Sequence, residues 1–123
     1  MKITSSSSGE ELRELGICIH ELVSRLPLTI RSRELPGLRI EDGKVIDDNY
    51  TGPVLEKVLE SGEIARETPD RGPYRGIPVV VVPLKEEGEV ICAVGIVDAT
   101  KGLFTDMVEI ARRPQDTDKG EFY

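Results

Sequence analysis

The sequence predicts an α+β fold, an antiparallel sheet of about five strands with helices packed on one of its faces. Three observations support this class. Apolar residues near the start of the chain recur at three- and four-residue spacing, which is typical of an amphipathic helix. Two long runs rich in β-branched residues, 77–84 and 89–98, are separated by a short charged turn. An Asp42-Gly43 pair stands between two shorter alternating segments, as in a β-hairpin.

The first helix is predicted to begin after Ser8. Ser8 and Glu11 have the spacing of a capping box, in which each side chain accepts a hydrogen bond from the other residue's backbone amide. Pro27 ends the helix after about five turns. Its apolar face is predicted to contain Leu12, Leu15, Ile19, Leu22, Val23 and Leu26. Residues 1–7 are predicted to form a loose lead-in.

Short strands follow the first helix. Residues 28–31 alternate between apolar and polar side chains, as expected for a half-buried strand. Residues 38–41 and 44–47 flank Asp42-Gly43, and both turn residues tolerate the positive φ angles of a tight hairpin turn. The sequence therefore predicts a second, shorter hairpin in addition to the long one.

A second helix is predicted to begin near Pro53, because the missing N–H of proline costs nothing in a first helical turn. Gly62 suits the left-handed position that ends many helices. Residues 63–68 are predicted to form another short strand, and residues 69–73 a loop.

The long hairpin, residues 77–84 and 89–98, is predicted to be the centre of the sheet, and Pro83 indicates a strand end or a bulge within it.

A C-terminal helix is predicted over residues 102–113, with Leu103, Met107, Val108 and Ile110 facing inward and Pro114 ending it. The polar residues 114–123 are predicted to be loose.

The composition predicts one soluble domain over residues 1–123, with room for a single hydrophobic core. A net charge of −7 argues against binding to nucleic acid and to anionic membrane surfaces, both of which attract basic proteins. Neither a membrane-spanning run nor a signal-peptide pattern is apparent. Cys18 and Cys92 lack the spacing of a metal or redox motif, and both are predicted to be buried. The sequence therefore indicates a cytoplasmic protein without disulfide bonds.

The segment from Gly72 to Asp98 resembles the later strands of PAS and GAF sensor domains. The resemblance lies in Arg75-Gly76-Ile77-Pro78-Val79, in Pro83-Leu84 and in residues 89–98, EVICAVGIVD. It implies a small-molecule pocket beside the sheet and dimerisation through helices. The whole chain, which is acidic, rich in arginine and poor in amides, also resembles a family of uncharacterised archaeal proteins known chiefly from methanogens. That family implies no assigned activity.

No catalytic or metal-binding residue is predicted. His20 would need a nucleophile or carboxylate nearby to act as a base, and a surface or boundary position is predicted for it. Asp47-Asp48-Asn49 offers oxygen ligands without the spacing of an EF-hand, so a polar turn leading into the second helix is predicted. Asp98 and Thr100 fit a turn and a helix cap, and Asp106 adds no metal-binding spacing.

The strongest candidate for a binding site is the loop before the central hairpin, where Arg71 and Arg75 flank Tyr74. Guanidinium groups bind carboxylate or phosphate in a bidentate way, and tyrosine adds stacking and a hydroxyl. In the alternative interpretation these arginines pair with surface acids. A pocket beside the sheet would also be lined by Val80, Val82, Ile91, Ala93 and Gly95. A shift of one residue in strand register exchanges the two faces of a strand. The sequence therefore leaves open which alternating set of hairpin residues lines the pocket.

Two functions stay open at this stage, with an enzyme as a third. The first is a PAS/GAF-like small-molecule-binding or sensory domain that binds an anionic small molecule and forms a homodimer; the sequence identifies no cofactor. It predicts a cavity of roughly 300 Å³ or more beside the sheet. The alternative is a protein-interaction module, which predicts a filled core and a contiguous exposed apolar patch. An enzyme would bring His20 or a pair of acids into a cleft with shifted pKa values.

Overall fold

The computed structural model describes residues 1–99, in which six strands form one antiparallel sheet with the order β3-β2-β1-β6-β5-β4. The elements in chain order are α1 (Gly9–Leu22), β1 (Leu28–Ser32), β2 (Gly37–Glu41), β3 (Lys44–Tyr50), α2 (Pro53–Ser61), β4 (Ala65–Glu67), β5 (Val79–Glu86) and β6 (Glu89–Val97). The predicted α+β class, with its antiparallel sheet and helices, is confirmed. The predicted helix at 102–113, together with Thr100, Asp106 and the tail at 114–123, lies outside the described residues.

The two helices lie on opposite faces of the sheet, so the prediction that they share one face is wrong. In β6, Val94 pairs with Ile30 of β1, whereas the neighbouring Gly95 pairs with Val81 of β5. Adjacent residues of a strand point to opposite faces. Helix α1 packs in the cluster that contains Ile30, and α2 packs in the cluster that contains Val81. These two surfaces are called the α1 face and the α2 face below.

Helix α1 begins with the predicted capping box. The Ser8 hydroxyl accepts from the Glu11 amide at 3.2 Å, and the Ser8 amide donates to a Glu11 carboxylate oxygen at 2.9 Å. The predicted apolar stripe is only partly correct, because α1 ends at Leu22, whose side chain is 79% exposed. The buried positions are Gly9, Leu12, Gly16 and His20. The small residues allow close contact with the sheet, since a Cβ on Gly16 would lie 2.9 Å from the Ile40 side chain.

Local turn and cap signals occur where the sequence predicts them. Asp42 and Gly43 have φ angles of 52° and 76° in the tight turn between β2 and β3. Helix α2 begins with Pro53 in its first turn and ends at Gly62, whose φ is 71°. Each of these signals depends on backbone geometry within a few residues, so the rest of the fold has little influence on them.

Residues 1–7, predicted to be loose, make defined contacts with the rest of the chain. Ser7 is buried, and its hydroxyl accepts from the Thr4 amide at 2.9 Å. The Glu34 amide donates to the Ser5 carbonyl at 2.9 Å, and the Ser5 hydroxyl donates to the Glu34 carboxylate at the same distance. These bonds connect the lead-in to the loop between β1 and β2.

The α1 face is covered unevenly by the described residues. Helix α1 packs over β1, β2 and β3. At the β5–β6 half of the same face, Val82 and Leu84 are 40% and 38% exposed, beside the half-buried Val94. Within residues 1–99, neither helix has the length and apolar character needed to cross a membrane.

Candidate functional site

A cleft opens on the α2 face, between the first turn of α2 and the loop that precedes β5. Thr29 of β1, Val81 of β5 and Gly95 of β6 form its floor, and Tyr50 and Tyr74 lie at its sides. Its cavity volume is about 30 Å³, enough for roughly two water molecules. The lining is mostly apolar, with a few polar residues: Thr29, Tyr50, Arg71 and Tyr74.

The shape of the cleft floor depends on a glycine in β6. A Cβ on Gly95 would lie 2.8 Å from a Val81 methyl carbon and 3.0 Å from the Thr29 hydroxyl oxygen. Real Cβ atoms essentially never approach to under 3.0 Å, so a side chain at this position would displace Val81 or Thr29. Gly95 therefore allows the close packing of Val81 and Thr29 that shapes the floor.

The Tyr50 hydroxyl is the most unusual polar group in the cleft. Tyr50 ends β3 and is only 6% exposed, yet its hydroxyl forms no hydrogen bond with any residue from 1 to 99. Burial raises the pKa of Tyr50, and Asp47 raises it further, while Arg39 opposes the shift. The hydroxyl lies beside Gly52, where a Cβ would be 2.6 Å away. A buried hydroxyl without a partner costs about 1–3 kcal/mol. The Thr29 hydroxyl in the floor is likewise buried and forms no hydrogen bond within residues 1–99.

The beginning of α2 adds backbone donors to the same space. The N-cap residue is Gly52, which has no side chain with which to cap the helix. Pro53 has no N–H, and Val54 and Leu55, both lining the cleft, are the next residues of the first turn. Amides of a first turn have no partner within their helix and carry the positive end of the helix dipole. The Glu56 carboxylate, on the exposed side of this turn, accepts a hydrogen bond from the Thr51 hydroxyl at 3.0 Å.

Tyr74 fixes the loop over the cleft to β2. Its hydroxyl donates to a Glu41 carboxylate oxygen at 2.7 Å and accepts from Arg39 Nε at 3.2 Å. Arg39 also forms an ion pair with Glu41 at 3.1 Å, and its guanidinium carbon lies 5.3 Å from the centre of the Tyr74 ring. Burial raises the pKa of Tyr74 well above its usual range; Arg39 opposes this shift and Glu41 adds to it. Tyr74 therefore lines one side of the cleft with a protonated hydroxyl that is already hydrogen-bonded to Glu41 and Arg39.

The predicted loop residues differ in their placement. Arg71 and Tyr74 line the cleft. The Arg71 side chain is exposed and makes no hydrogen bond or ion pair within the described residues. Arg75 is exposed and lies outside the cleft lining, and its backbone amide donates to the Gly72 carbonyl at 3.2 Å. The structure thus brings together two of the three loop residues that the sequence predicts to bind an anion.

The predicted hairpin residues divide between the two faces of the sheet. Gly95 lies in the cleft floor, and Ala93 is buried on the same α2 face in the cluster beneath the helix. Val80 pairs with Ile96, and Val82 pairs with Val94, so both point to the α1 face, where Ile91 also packs. The register of β6 against β1 and β5 decides this division.

Three polar residues near the cleft are absent from the predicted set: Tyr50, Arg39 and Glu41. For Tyr50 a sequence signal exists, since Tyr50-Thr51-Gly52-Pro53 places a tyrosine directly before a helix start that has no capping side chain. Arg39 and Glu41 alternate along an ordinary strand, and nothing local distinguishes them. Only the packing of the distant Tyr74 loop gives them a role.

His20 is buried rather than at the surface, so the predicted position is wrong. Its side chain is 0% exposed; Nδ1 lies 2.8 Å from the Leu26 carbonyl, and the Gly43 amide donates to Nε2 at 2.9 Å. Because Nε2 accepts, the proton resides on Nδ1, which donates to Leu26. Both nitrogens are used in joining α1 to the β2–β3 turn, and His20 has no part in the cleft.

The acidic triplet is part of a strand. Asp47, Asp48 and Asn49 lie within β3, so the predicted turn is wrong, and the Asn49 amide donates to the Asp47 carboxylate at 2.9 Å. Among residues 1–99, no group of three or more His, Cys, Asp or Glu side chains is placed to hold a metal ion.

Cys92 is buried as predicted, whereas Cys18 is exposed, contrary to the prediction.

A second, more open groove of about 270 Å³ lies between the end of β1 and the outer side of α2. Its charged residues are Arg31, Arg33, Glu56 and Glu60. Both arginines already donate to backbone carbonyls, Arg31 to Ser32 and Arg33 to Val90. The groove has balanced charge and few apolar residues in its lining, so it is a weaker candidate than the cleft.

The comparisons with known proteins agree on one family. Residues 19–100 match the family described as "Uncharacterized protein conserved in archaea (DUF2111)". The chain is 46% identical over 113 residues to an uncharacterized protein, MJ0405, of Methanocaldococcus jannaschii, with 92% of this chain and 86% of that protein covered. No solved structure matches the chain. The resemblance to PAS and GAF domains and the cytoplasmic location stay predictions.

Proposed function

The chain belongs to this family of uncharacterized archaeal proteins, and we propose that it is a binding domain whose cleft at the start of α2 takes one end of a small molecule. The observation that carries the proposal is the Tyr50 hydroxyl, which is buried without a hydrogen-bond partner among residues 1–99 and lies beside Gly52, in the lining of the cleft. Binding sites typically combine apolar walls with a few polar groups that orient the ligand, and the cleft has this composition.

The size of the cleft limits what it holds. Its volume of about 30 Å³ is roughly a tenth of what a fully enclosed ligand requires. A few heavy atoms fit inside, and the rest of the molecule lies in the mouth, beside Arg71. The cleft therefore suits recognition of a terminal group better than enclosure of a whole ligand.

The proposal is tested by recording ¹H–¹⁵N spectra of the full chain with a library of small fragments. We expect shift changes concentrated at Thr29, Val54 and Gly95. The Gly95→Ala variant displaces Val81 or Thr29 in the floor and should abolish these changes. Gly16→Ala is the matched control, because it adds the same methyl group at a similarly close contact, 2.9 Å from Ile40, on the opposite face. Its fragment binding is expected to match that of the wild type.

Two outcomes would overturn the proposal. Fragments that bind elsewhere on the chain, with the cleft resonances unmoved, would remove the cleft as the site. Equal fragment binding by Gly95→Ala and the wild type would do the same, provided that circular dichroism shows both proteins to be folded.

A second function, self-association, is supported by the apolar strip of Val82, Leu84 and Val94 on the α1 face. Contiguous exposed apolar surface is typical of protein contacts. Light scattering of the full chain at tens of micromolar would show a dimer that Val82→Lys dissociates. A monomeric wild-type protein would eliminate this candidate and leave the cleft as the basis of function.

A further inference from the structure

We propose that the group bound in the cleft is a carboxylate, carried by a short aliphatic chain. This inference rests on the proposed function and specifies the class of ligand. Its basis is that the buried Tyr50 hydroxyl lies beside Gly52, the N-cap of α2, and that the first turn of α2 and Arg71 belong to the same cleft lining.

The donors are available in the protein as it stands. Tyr50 makes no hydrogen bond within residues 1–99 and, as a phenol with a raised pKa, stays protonated and able to donate. Helix α2 has no side-chain cap, so its first amides need an acceptor from elsewhere. The N-terminus of a helix favours a negative group through both its free N–H groups and its dipole.

The lining below these donors selects the rest of the ligand. Val79, Val81 and the bare backbone of Gly95 offer apolar contact, and the Thr29 hydroxyl adds one polar group to the floor. A carboxylate directed toward Tyr50 and the start of α2 would place an adjoining methylene or methyl group against this surface. The combination of an anionic end and an apolar stem describes a short aliphatic acid.

Charge and volume favour a carboxylate over a phosphate. About 30 Å³ accommodates a planar, three-atom group more readily than a tetrahedral one. Glu56 and Glu41 lie near the cleft, and the chain as a whole has a net charge of −7. A monoanion is repelled less by these charges than a dianion, and one exposed arginine at the mouth is sufficient to balance it.

Titration calorimetry and ¹H–¹⁵N spectra of the full chain with butyrate, butanamide and inorganic phosphate test the proposal. We expect butyrate to bind with a dissociation constant of about 1–10 mM and to shift the Val54 and Gly95 resonances. Butanamide has the same shape without the charge and should bind at least about tenfold more weakly, because hydrogen bonds to a charged acceptor are the stronger ones. Phosphate should leave these resonances unmoved.

Two pairs of proteins locate the site. Tyr50→Phe removes only the hydroxyl and should weaken butyrate binding about tenfold or more relative to the wild type. Arg71→Gln should weaken it several-fold, and Arg75→Gln, in the same loop but outside the cleft, serves as the control with unchanged affinity. Equal butyrate affinity for Tyr50→Phe and the wild type would refute the assigned donor.

The outcomes separate this inference from the function on which it rests. Butanamide and butyrate binding equally at the cleft would refute the carboxylate while leaving the binding function intact. If neither perturbs the cleft and no fragment does, both proposals fail. A tripeptide with a blocked N-terminus, acetyl-Ala-Ala-Ala, distinguishes two sources of the bound carboxylate. Tighter binding of the tripeptide than of butyrate indicates that the ligand is a peptide C-terminus. Weaker binding indicates that the ligand is a free small acid.

Discussion

Replacing Tyr50 by Phe should stabilise the ligand-free protein, although it removes a polar group from a binding site. The Tyr50 hydroxyl is buried and forms no hydrogen bond within residues 1–99. The unfolded chain exposes the same hydroxyl to water, so folding desolvates it without compensation. Tyr74→Phe is the matched comparison, because it deletes the same atom from a tyrosine whose hydroxyl donates to Glu41 at 2.7 Å and accepts from Arg39 at 3.2 Å.

The two substitutions are expected to change stability in opposite directions. An unsatisfied buried hydroxyl costs about 1–3 kcal/mol, and a water molecule in the cleft would offset part of this cost. Tyr50→Phe should therefore raise the free energy of unfolding by about 0.5–2 kcal/mol. Hydrogen bonds to charged partners contribute about 1.5–3 kcal/mol, so Tyr74→Phe should lower it by about 2 kcal/mol after allowance for partial exposure.

Urea denaturation followed by circular dichroism measures both values at pH 7 without added carboxylate. For a domain of this size, 1 kcal/mol corresponds to a change in Tm of about 4 °C, which thermal scans detect easily. A loss of 1 kcal/mol or more in Tyr50→Phe would refute the reasoning, since it would mean that the hydroxyl has a strong partner. An unchanged Tyr74→Phe would show that the bonds to Glu41 and Arg39 contribute nothing.

Three further predictions follow from the buried titratable and polar groups. Burial raises the pKa of the Cys92 thiol to about 11. Because the thiol of the unfolded chain titrates near about 8.5, the stability that the protonated thiol contributes is present below that pH and is lost as the pH rises through 11. Urea titrations should detect this decrease of about 3 kcal/mol in the free energy of unfolding, and Cys92→Ala should reduce the decrease. His20→Ala leaves the Gly43 amide without its acceptor and should cost about 3 kcal/mol by chemical denaturation; a loss below about 1 kcal/mol would contradict the structural role. A thiol reagent at pH 8 should modify Cys18 in the folded protein and Cys92 only after unfolding, as read by mass spectrometry, and equal labelling of both would contradict the assigned burial.

The cleft shows how far residue chemistry can be predicted before the fold is known. The sequence predicts eight site residues from one contiguous stretch of chain; Arg71, Tyr74 and Gly95 line the cleft, and the other five do not. Tyr50 and the start of α2 come from an earlier segment that joins them only through the packing of α2 against β5 and β6. Sequence proximity therefore indicated three of the lining residues and gave no information on Tyr50 or on the start of α2.

The sequence by itself determined the elements whose physics is local. The Ser8–Glu11 capping box, the Asp42-Gly43 turn and the limits of α2 depend on hydrogen bonds and φ angles within a few residues, so neighbouring residues suffice to predict them. The apolar composition of the two long strands likewise indicated the central hairpin.

Only the tertiary structure decided which surfaces those elements present. Val82 and Gly95 are both apolar members of the same hairpin, yet strand register directs one to the α1 face and places the other in the cleft. Helix α1 buries Gly16 and His20 instead of Leu22, because close contact with β2 and a hydrogen bond from the β2–β3 turn outweigh the gain from burying one leucine. Packing between segments distant in sequence sets register and rotation, and no local pattern contains that information.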